Sequence, residues 1–366
     1  MPTDRHAIRR QGLLARLREA GIPALLVSNE TNVGYLTGFT GDSSYLLLGP
    51  GVCTLISDGR YTTQIRQECP DLEASIRPQS ETIVAAAAKL AKQARLKRLG
   101  VEADHLSMSA AEKLATEVKG LELAATSGWV EDLRQVKDAG EIQEIRSAIR
   151  MAEKGFAVLR AELRGELTER EVSDNLEQAM RRFGARGCAF PTIVAVGPRG
   201  ALPHARPTSV RVAEDNFLLV DWGAEAPSGY KSDLTRIIAT GSISPKLERV
   251  YRVVLKAQQA AIKAIRPGVR CCDVDVVARR VIDGAGFGKH FTHGLGHGFG
   301  LNIHEWPRFS VSCETPLAAG MVVTVEPGIY LEGWGGVRIE DDVLVTRGGC
   351  EVLTSVPKDL ADIVLR

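Results

Sequence analysis

The sequence predicts a small α/β domain followed by an α+β domain that uses one helix–helix–hairpin unit twice. Three observations support this. Short apolar runs alternate with helical patterns up to about residue 130. Beyond that point two long amphipathic segments precede a hairpin pattern, and the same order then recurs. Landmarks of the two copies keep a near-constant offset: Gly165 and Gly268 lie 103 apart, Asp221 and Glu326 105, and Asp233 and Glu340 107. We place the domains at residues 1–132 and 133–366.

In the first domain, Leu13, Leu14, Leu17 and Ala20 fall at helical spacing before Gly21. This stretch reads as an amphipathic helix rather than a transit peptide, since it lacks an apolar core of signal length. Residues 24–29 (ALLVSN), 44–49 (SYLLLG) and 52–58 (VCTLISD) read as strands, and 32–39 (NVGYLTGF) as a turn-rich segment. Residues 60–69, 83–94 and 109–118 read as helices.

In the second domain, residues 137–163 form a long amphipathic pattern with Ile142, Ile145, Ile149 and Ala152 on one side. A second helix starts at a Thr168–Glu171 capping box and stops at Gly184. The strand pattern AFPTIVAVG and the loop LPHARP lead into FLLVDWGAEAPSGYKSDLTRIIAT, a hairpin around a Pro-Ser-Gly turn. Helical patterns at 245–265 and 271–288 follow, then HGLGHGFGLNIHE (293–305), then a second hairpin at 321–346.

Composition narrows the function classes. The chain has 46 basic and 45 acidic residues, so no net field favours nucleic acid or an anionic membrane. No apolar run reaches the roughly 18–20 residues that span a bilayer. The seven cysteines are scattered without a CxxC, which fits buried thiols in a reducing cytosol.

The chemistry is carried by carboxylates. Each hairpin has one acid per strand, Asp221 with Asp233 and Glu326 with Glu340. Residues equidistant from a turn share a face, so each pair should converge to within one residue of register. Asp221 follows FLLV and Glu326 follows MVVTV, so both acids enter apolar strands. That is costly without compensation, by Arg236 and Arg338 or by cations. Four such acids together call for two divalent cations. An oxygen-rich set with one imidazole suits Mn²⁺, Co²⁺ or Zn²⁺. Ions roughly 3.5 Å apart would acidify a bridging water into a hydrolytic nucleophile.

HGLGH has the spacing of a zinc helix, but Gly294 stands where a metalloprotease helix needs Glu. Its glycines also disfavour a helix by about 1 kcal/mol each. An extended chain puts His293 and His297 on one side and His304 on the other unless the chain turns. The glycines read as room for backbone and substrate to approach.

DWGAEAPSGYKSDLTR, HGLGHGFGLNIHE, TVEPGIY and GGVRIEDD, taken in order, resemble the pita-bread metallopeptidases, and most of all the Xaa-Pro aminopeptidases (aminopeptidase P) and prolidases. Residues 1–130, with DGRY at 58–61, resemble the creatinase/prolidase N-terminal domain. The resemblance implies a pita-bread catalytic domain with an internal pseudo-two-fold repeat. It implies metal ligation by Asp221, Asp233, His297, Glu326 and Glu340, with Glu326 as general base. His204 and His304 would be catalytic and substrate-binding, with His293 and Arg338 also on the substrate. His290 has no counterpart. The implied substrate is a peptide with proline second, and the implied assembly a homodimer or homotetramer in the cytoplasm. Only LEGW separates EPGIY from GGVRIED, which favours an aminopeptidase over the larger prolidases. The alternatives are an Xaa-Pro dipeptidase, a metal-free creatinase-like hydrolase and a non-catalytic pita-bread binding module.

Overall fold

The computed structural model describes residues 5–365. Residues 1–4 and 366 of the expected domains lie outside that range. The chain divides into two compact units, Met1–Arg134 and Gln135–Arg366.

The first unit runs α1 (Arg5–Glu19), β1 (Leu25–Val27), α2 (Glu30–Thr37), β2 (Tyr45–Gly49), β3 (Val52–Asp58), α3 (Thr62–Glu68), β4 (Glu73–Arg77), α4 (Ile83–Gln93), β5 (Arg98–Glu102), α5 (Met108–Glu117), β6 (Glu122–Thr126) and α6 (Trp129–Gln135). Its six strands form one mixed sheet, ordered β4-β3-β2-β1-β5-β6. In α4, Ala86, Ala87, Ala88 and Ala91 are all buried against this sheet's core. Small side chains let the helix lie close to the strands.

The segment expected to be turn-rich is instead the helix α2. Asn29 caps it by accepting the Asn32 N–H at 3.1 Å. Gly38, at φ 83°, ends it by donating to the Gly34 carbonyl. The glycines are helix punctuation here, and burial of Val33, Tyr35 and Leu36 holds the helix between them.

The second unit runs α7 (Ala139–Glu162), α8 (Glu169–Arg182), β7 (Gly187–Cys188), β8 (Ile193–Val196), β9 (Phe217–Trp222), β10 (Ala224–Glu225), β11 (Leu234–Ala239), α9 (Pro245–Ala264), α10 (Cys271–Gly284), β12 (Gly296–Gly298), β13 (Glu305–Phe309), β14 (Val322–Val325), β15 (Gly328–Leu331), β16 (Gly335–Arg338), β17 (Asp341–Thr346) and β18 (Gly349–Val352). The Thr168–Glu171 capping box is present, and Gly184 takes φ 99° after α8. A second box, Asp138–Glu141, starts α7.

The helix–helix–strand unit occurs twice. One face of β9 (Leu218, Val220, Trp222) packs on α7 and α8, and the other (Phe217, Leu219) joins the core that holds α9, α10, β14 and β17. Trp222 stacks on Phe156 with ring centroids 4.1 Å apart and donates its indole N–H to the Ala152 carbonyl at 3.0 Å. Such stacking adds about 0.5–1.5 kcal/mol beyond burial. Alternation along the strand then places Asp221 on the face of Phe217 and Leu219.

The register of the first hairpin differs from expectation. Asp221 pairs with Thr235, not Asp233. Asp233 lies two residues nearer the turn, and an even shift keeps it on the same face. The second hairpin is broken into two ladders. β14 pairs with β17, where Val325 faces Asp341, and β15 pairs with β16, where Gly328 faces Arg338. Glu326 and Glu340 occupy matching positions at the break between these ladders, so they still converge.

Candidate metal and catalytic site

One carboxylate oxygen each from Asp221, Asp233 and Glu340 lies within 4.8 Å of the others, and all three residues are buried. His297 Nε2 stands 3.3 Å from Glu326 Oε1 and 3.7 Å from Asp233 Oδ2. The five residues named from sequence therefore share one locus. Glu326 is the most open of the acids, with its side chain 17% exposed.

The electrostatics call for positive charge. Burial, then the neighbouring Glu340 and Asp221, holds the Asp233 carboxyl well above the usual range. Burial, then Glu326 and Asp221, does the same to Glu340. Glu326 is pushed up to about 8, mainly by burial, with Arg338 opposing. Arg236 does not neutralise these acids. It donates to the Glu340 backbone carbonyl and to Asp341. Arg338 pairs with Asp221. The other oxygen of Asp221, Oδ1, is buried with no hydrogen-bond partner. His297 Nδ1 donates to the Gly298 carbonyl at 3.1 Å, which leaves Nε2 as a bare lone pair facing the acids. An orphaned carboxylate oxygen, a free imidazole nitrogen and clustered acids are a donor set for hard divalent cations.

Residues that the motif reading passed over hold this set in place. Thr235 donates to Glu340 Oε2 at 2.7 Å and accepts Arg338 Nε at 3.0 Å. Thr324 accepts the His297 backbone N–H at 3.1 Å and donates to Glu326 Oε1 at 3.3 Å. Asp342 accepts the Asp233 backbone N–H at 3.2 Å. The signal was available in the spacing: Thr235 is two residues from Asp233 and Thr324 two from Glu326, so each shares that acid's face.

The site opens into a cavity of about 590 Å³. Besides those five residues it is lined by His204, His293, His304 and Arg338. An apolar wall includes Phe190, Pro191, Ile303 and Phe309. The chain turns after Gly298, which brings the His304 ring to 4.5 Å from that of His297, edge to face. All three histidines of the motif therefore reach one cavity, while His290 lies outside its lining.

His204 and His304 are exposed at the cavity. His293 differs, because both of its ring nitrogens are engaged. Nδ1 donates to the Gly294 carbonyl at 2.7 Å, and Nε2 accepts the Tyr330 hydroxyl at 2.9 Å. Burial pulls the His293 imidazole down to about 4. Arg338 donates to Tyr330 at 2.7 Å, as well as to Thr235 and Asp221. The cavity also contains a residue not singled out from sequence. Among the described residues the Arg308 guanidinium makes no hydrogen bond or ion pair. It lines the cavity, and burial shifts it below its ordinary value.

Two of the motif glycines are required by the neighbouring strands. A Cβ on Gly296 would stand 2.1 Å from the Thr324 carbonyl oxygen, and one on Gly298 2.3 Å from that of Trp306. The strands can close on both sides of His297 only without those side chains.

Residues 143–347 match the model of metallopeptidase family M24, and residues 9–136 match the creatinase/prolidase N-terminal domain. An Xaa-Pro dipeptidase of Pyrococcus horikoshii is 35% identical over 340 residues, covering 93% of this chain and 94% of that protein. The structure of an Xaa-Pro dipeptidase from Bacillus anthracis superposes with TM-score 0.94 at 37% identity, covering 98% of this chain and 100% of the other. An X-Pro aminopeptidase from Thermotoga maritima gives TM-score 0.87 at 36% identity, covering 94% and 99%. With its catalytic unit built as a doubled helix–helix–strand fold around a buried carboxylate cluster, the chain is an enzyme of metallopeptidase family M24 that carries a creatinase/prolidase N-terminal domain.

Proposed function

We propose that the protein hydrolyses Xaa-Pro bonds and that dipeptides are its preferred substrates. Asp221, Asp233, His297, Glu326 and Glu340 would hold two divalent cations, Mn²⁺ first, with Co²⁺ or Zn²⁺ as alternatives. Such ions polarise a carbonyl and acidify water. Glu326, the acid most open to the cavity, serves as general base for the attacking water. His304 and His204, exposed on the cavity, donate to the carbonyl oxygen as it gains charge. His293 and Arg338 have their polar atoms engaged, so they contact substrate as wall and hold Asp221 in place. The apolar wall receives a pyrrolidine ring, whose nitrogen offers no N–H to a polar partner.

Arg308 is the observation that carries the dipeptide preference. An uncommitted guanidinium in a largely apolar cavity is suited to one complementary group, a carboxylate. A dipeptide presents its own C-terminal carboxylate one residue beyond the scissile bond. The Bacillus anthracis dipeptidase shares the fold across 98% of this chain, and the Pyrococcus horikoshii one aligns in sequence over 93% of it. A second reading, removal of Xaa from longer Xaa-Pro peptides, draws support from the short turn between Leu331 and Gly335 and from the Thermotoga structure.

The test is to supply Mn²⁺-loaded protein with Gly-Pro and with Arg-Pro-Pro and to measure the free amino acids released. Dipeptide cleavage alone supports the first reading, and tripeptide cleavage alone the second. Cleavage of neither defeats both. We place the enzyme in the cytoplasm, a reading supported by seven unpaired cysteines. We also read it as a homodimer or homotetramer, which light scattering would test.

A further inference from the structure

We propose that two ion pairs, the part-buried Asp275–Arg279 and the buried Lys137–Glu305, are positioning devices for the histidine segment, the first setting the backbone of His293 and the second that of His304. The inference rests on the reading that these histidines handle the substrate.

The segment needs external support. Gly294, Gly296, Gly298 and Gly300 give it large conformational freedom. Within residues 293–304 only Gly296–Gly298 is strand, and Glu305 begins β13. The His304 ring makes no hydrogen bond among the described residues, so apart from its edge contact with His297 its placement depends on its backbone.

At one end Asp275, fully buried on α10, accepts the Leu295 N–H at 3.0 Å. Its partner Arg279, 2.6 Å away through Nε, donates to the Phe291 carbonyl at 3.1 Å and also to the His293 carbonyl. The guanidinium carbon lies 4.4 Å from the Phe291 ring centroid. This one pair takes hold of residues 291, 293 and 295.

At the other end Lys137 Nζ lies 3.1 Å from Glu305 Oε2, with side chains 1% and 7% exposed. Glu305 Oε1 accepts the Asn302 N–H at 3.0 Å. The loop is thus tied back onto the residue that follows His304. His297 between them has its own supports, the Thr324 hydroxyl and the pairing of Gly298 with Val323. His297 thus keeps anchors of its own besides the pairing of Gly298 with Glu305, so neutralising the Lys137–Glu305 side chains should leave metal binding intact, whereas the first clamp also reaches Glu326, whose N–H donates to the Leu295 carbonyl at 2.9 Å.

The test is the double variant Lys137→Met with Glu305→Leu, which removes both charges and strands neither. Hydrogen exchange of peptides covering residues 299–305 should quicken at least about tenfold, with Mn²⁺ content as in the wild type. With Gly-Pro, kcat should fall on the order of 100-fold while KM stays within about threefold. Lys137→Arg, which keeps the pair, should recover most of kcat. The matching double variant Asp275→Leu with Arg279→Met should quicken exchange in residues 291–295. Unchanged exchange in both segments overturns the inference whatever the substrate. So does a wild-type kcat in the Lys137/Glu305 double variant when His304→Ala is impaired. A wild-type protein without Xaa-Pro activity defeats the functional reading alone, and exchange then decides the clamps.

Discussion

Thr235 donates its hydroxyl hydrogen to Glu340 at 2.7 Å, joining the first hairpin of the repeat to the second. Thr235→Val keeps the shape and removes this bond. It also leaves Arg338 Nε without its acceptor. Losing an outer-shell partner of this kind costs about 10–100-fold in metal affinity. Activity titrated against Mn²⁺ should show that shift, with partial recovery at saturating metal. An unchanged titration would mean that Glu340 needs no such support.

Asp233→Ala should remove both metal and activity, since Asp233 is in reach of Glu340, Asp221 and His297. His304→Ala should lose activity while retaining metal. Plasma mass spectrometry of both variants after Mn²⁺ reconstitution checks this. Loss of metal from His304→Ala would reassign that histidine as a ligand.

Arg308→Ala should raise KM for Gly-Pro and spare Arg-Pro-Pro. A lost charged hydrogen bond is worth about 1.5–3 kcal/mol, or roughly 10–150-fold in kcat/KM. Equal losses on both substrates would remove Arg308 from carboxylate recognition.

The N-terminal unit should carry an acid-sensitive contribution at Asp58. Its hydrogen bonds from Arg60, helped by Arg77, hold the carboxyl at about 2, against 3.8 for the ordinary group. A depressed folded value stabilises above the unfolded value, and the contribution is lost as pH falls from 3.8 through about 2. The melting-temperature gap between wild type and Asp58→Asn should therefore shrink as pH is lowered from roughly 6 to roughly 3. A constant gap would show that Asp58 acts only through its shape.

The doubled unit, the helix starts and the carboxylate spacing could be read from the chain because each depends on local pattern. The Thr168 box needs four residues, and the ligand acids need only parity along a strand. The misses came from tertiary context. Residues 32–39 read as turn-rich and Asn29 as the end of a strand, until burial of Val33 and Leu36 made a helix between Asn29 and Gly38 worthwhile. The hairpin packs too closely at Gly223 for any side chain, since a Cβ there would meet the Ser232 carbonyl oxygen at 1.9 Å. Arg308 offered no motif at all. Its interest lies in the partners it lacks, which only coordinates can show.

The alternation along β9 makes the length of this strand matter more than its letters. Asp221 and Trp222 sit on opposite sides of one ribbon, one toward the carboxylate cluster and one stacked on Phe156. Deleting any single residue among Leu218, Leu219 and Val220 would exchange them, burying a carboxylate against the first helix pair and thrusting an indole into the catalytic cavity. The leucines and valine can drift among aliphatic types, whereas their number is held by the reaction itself.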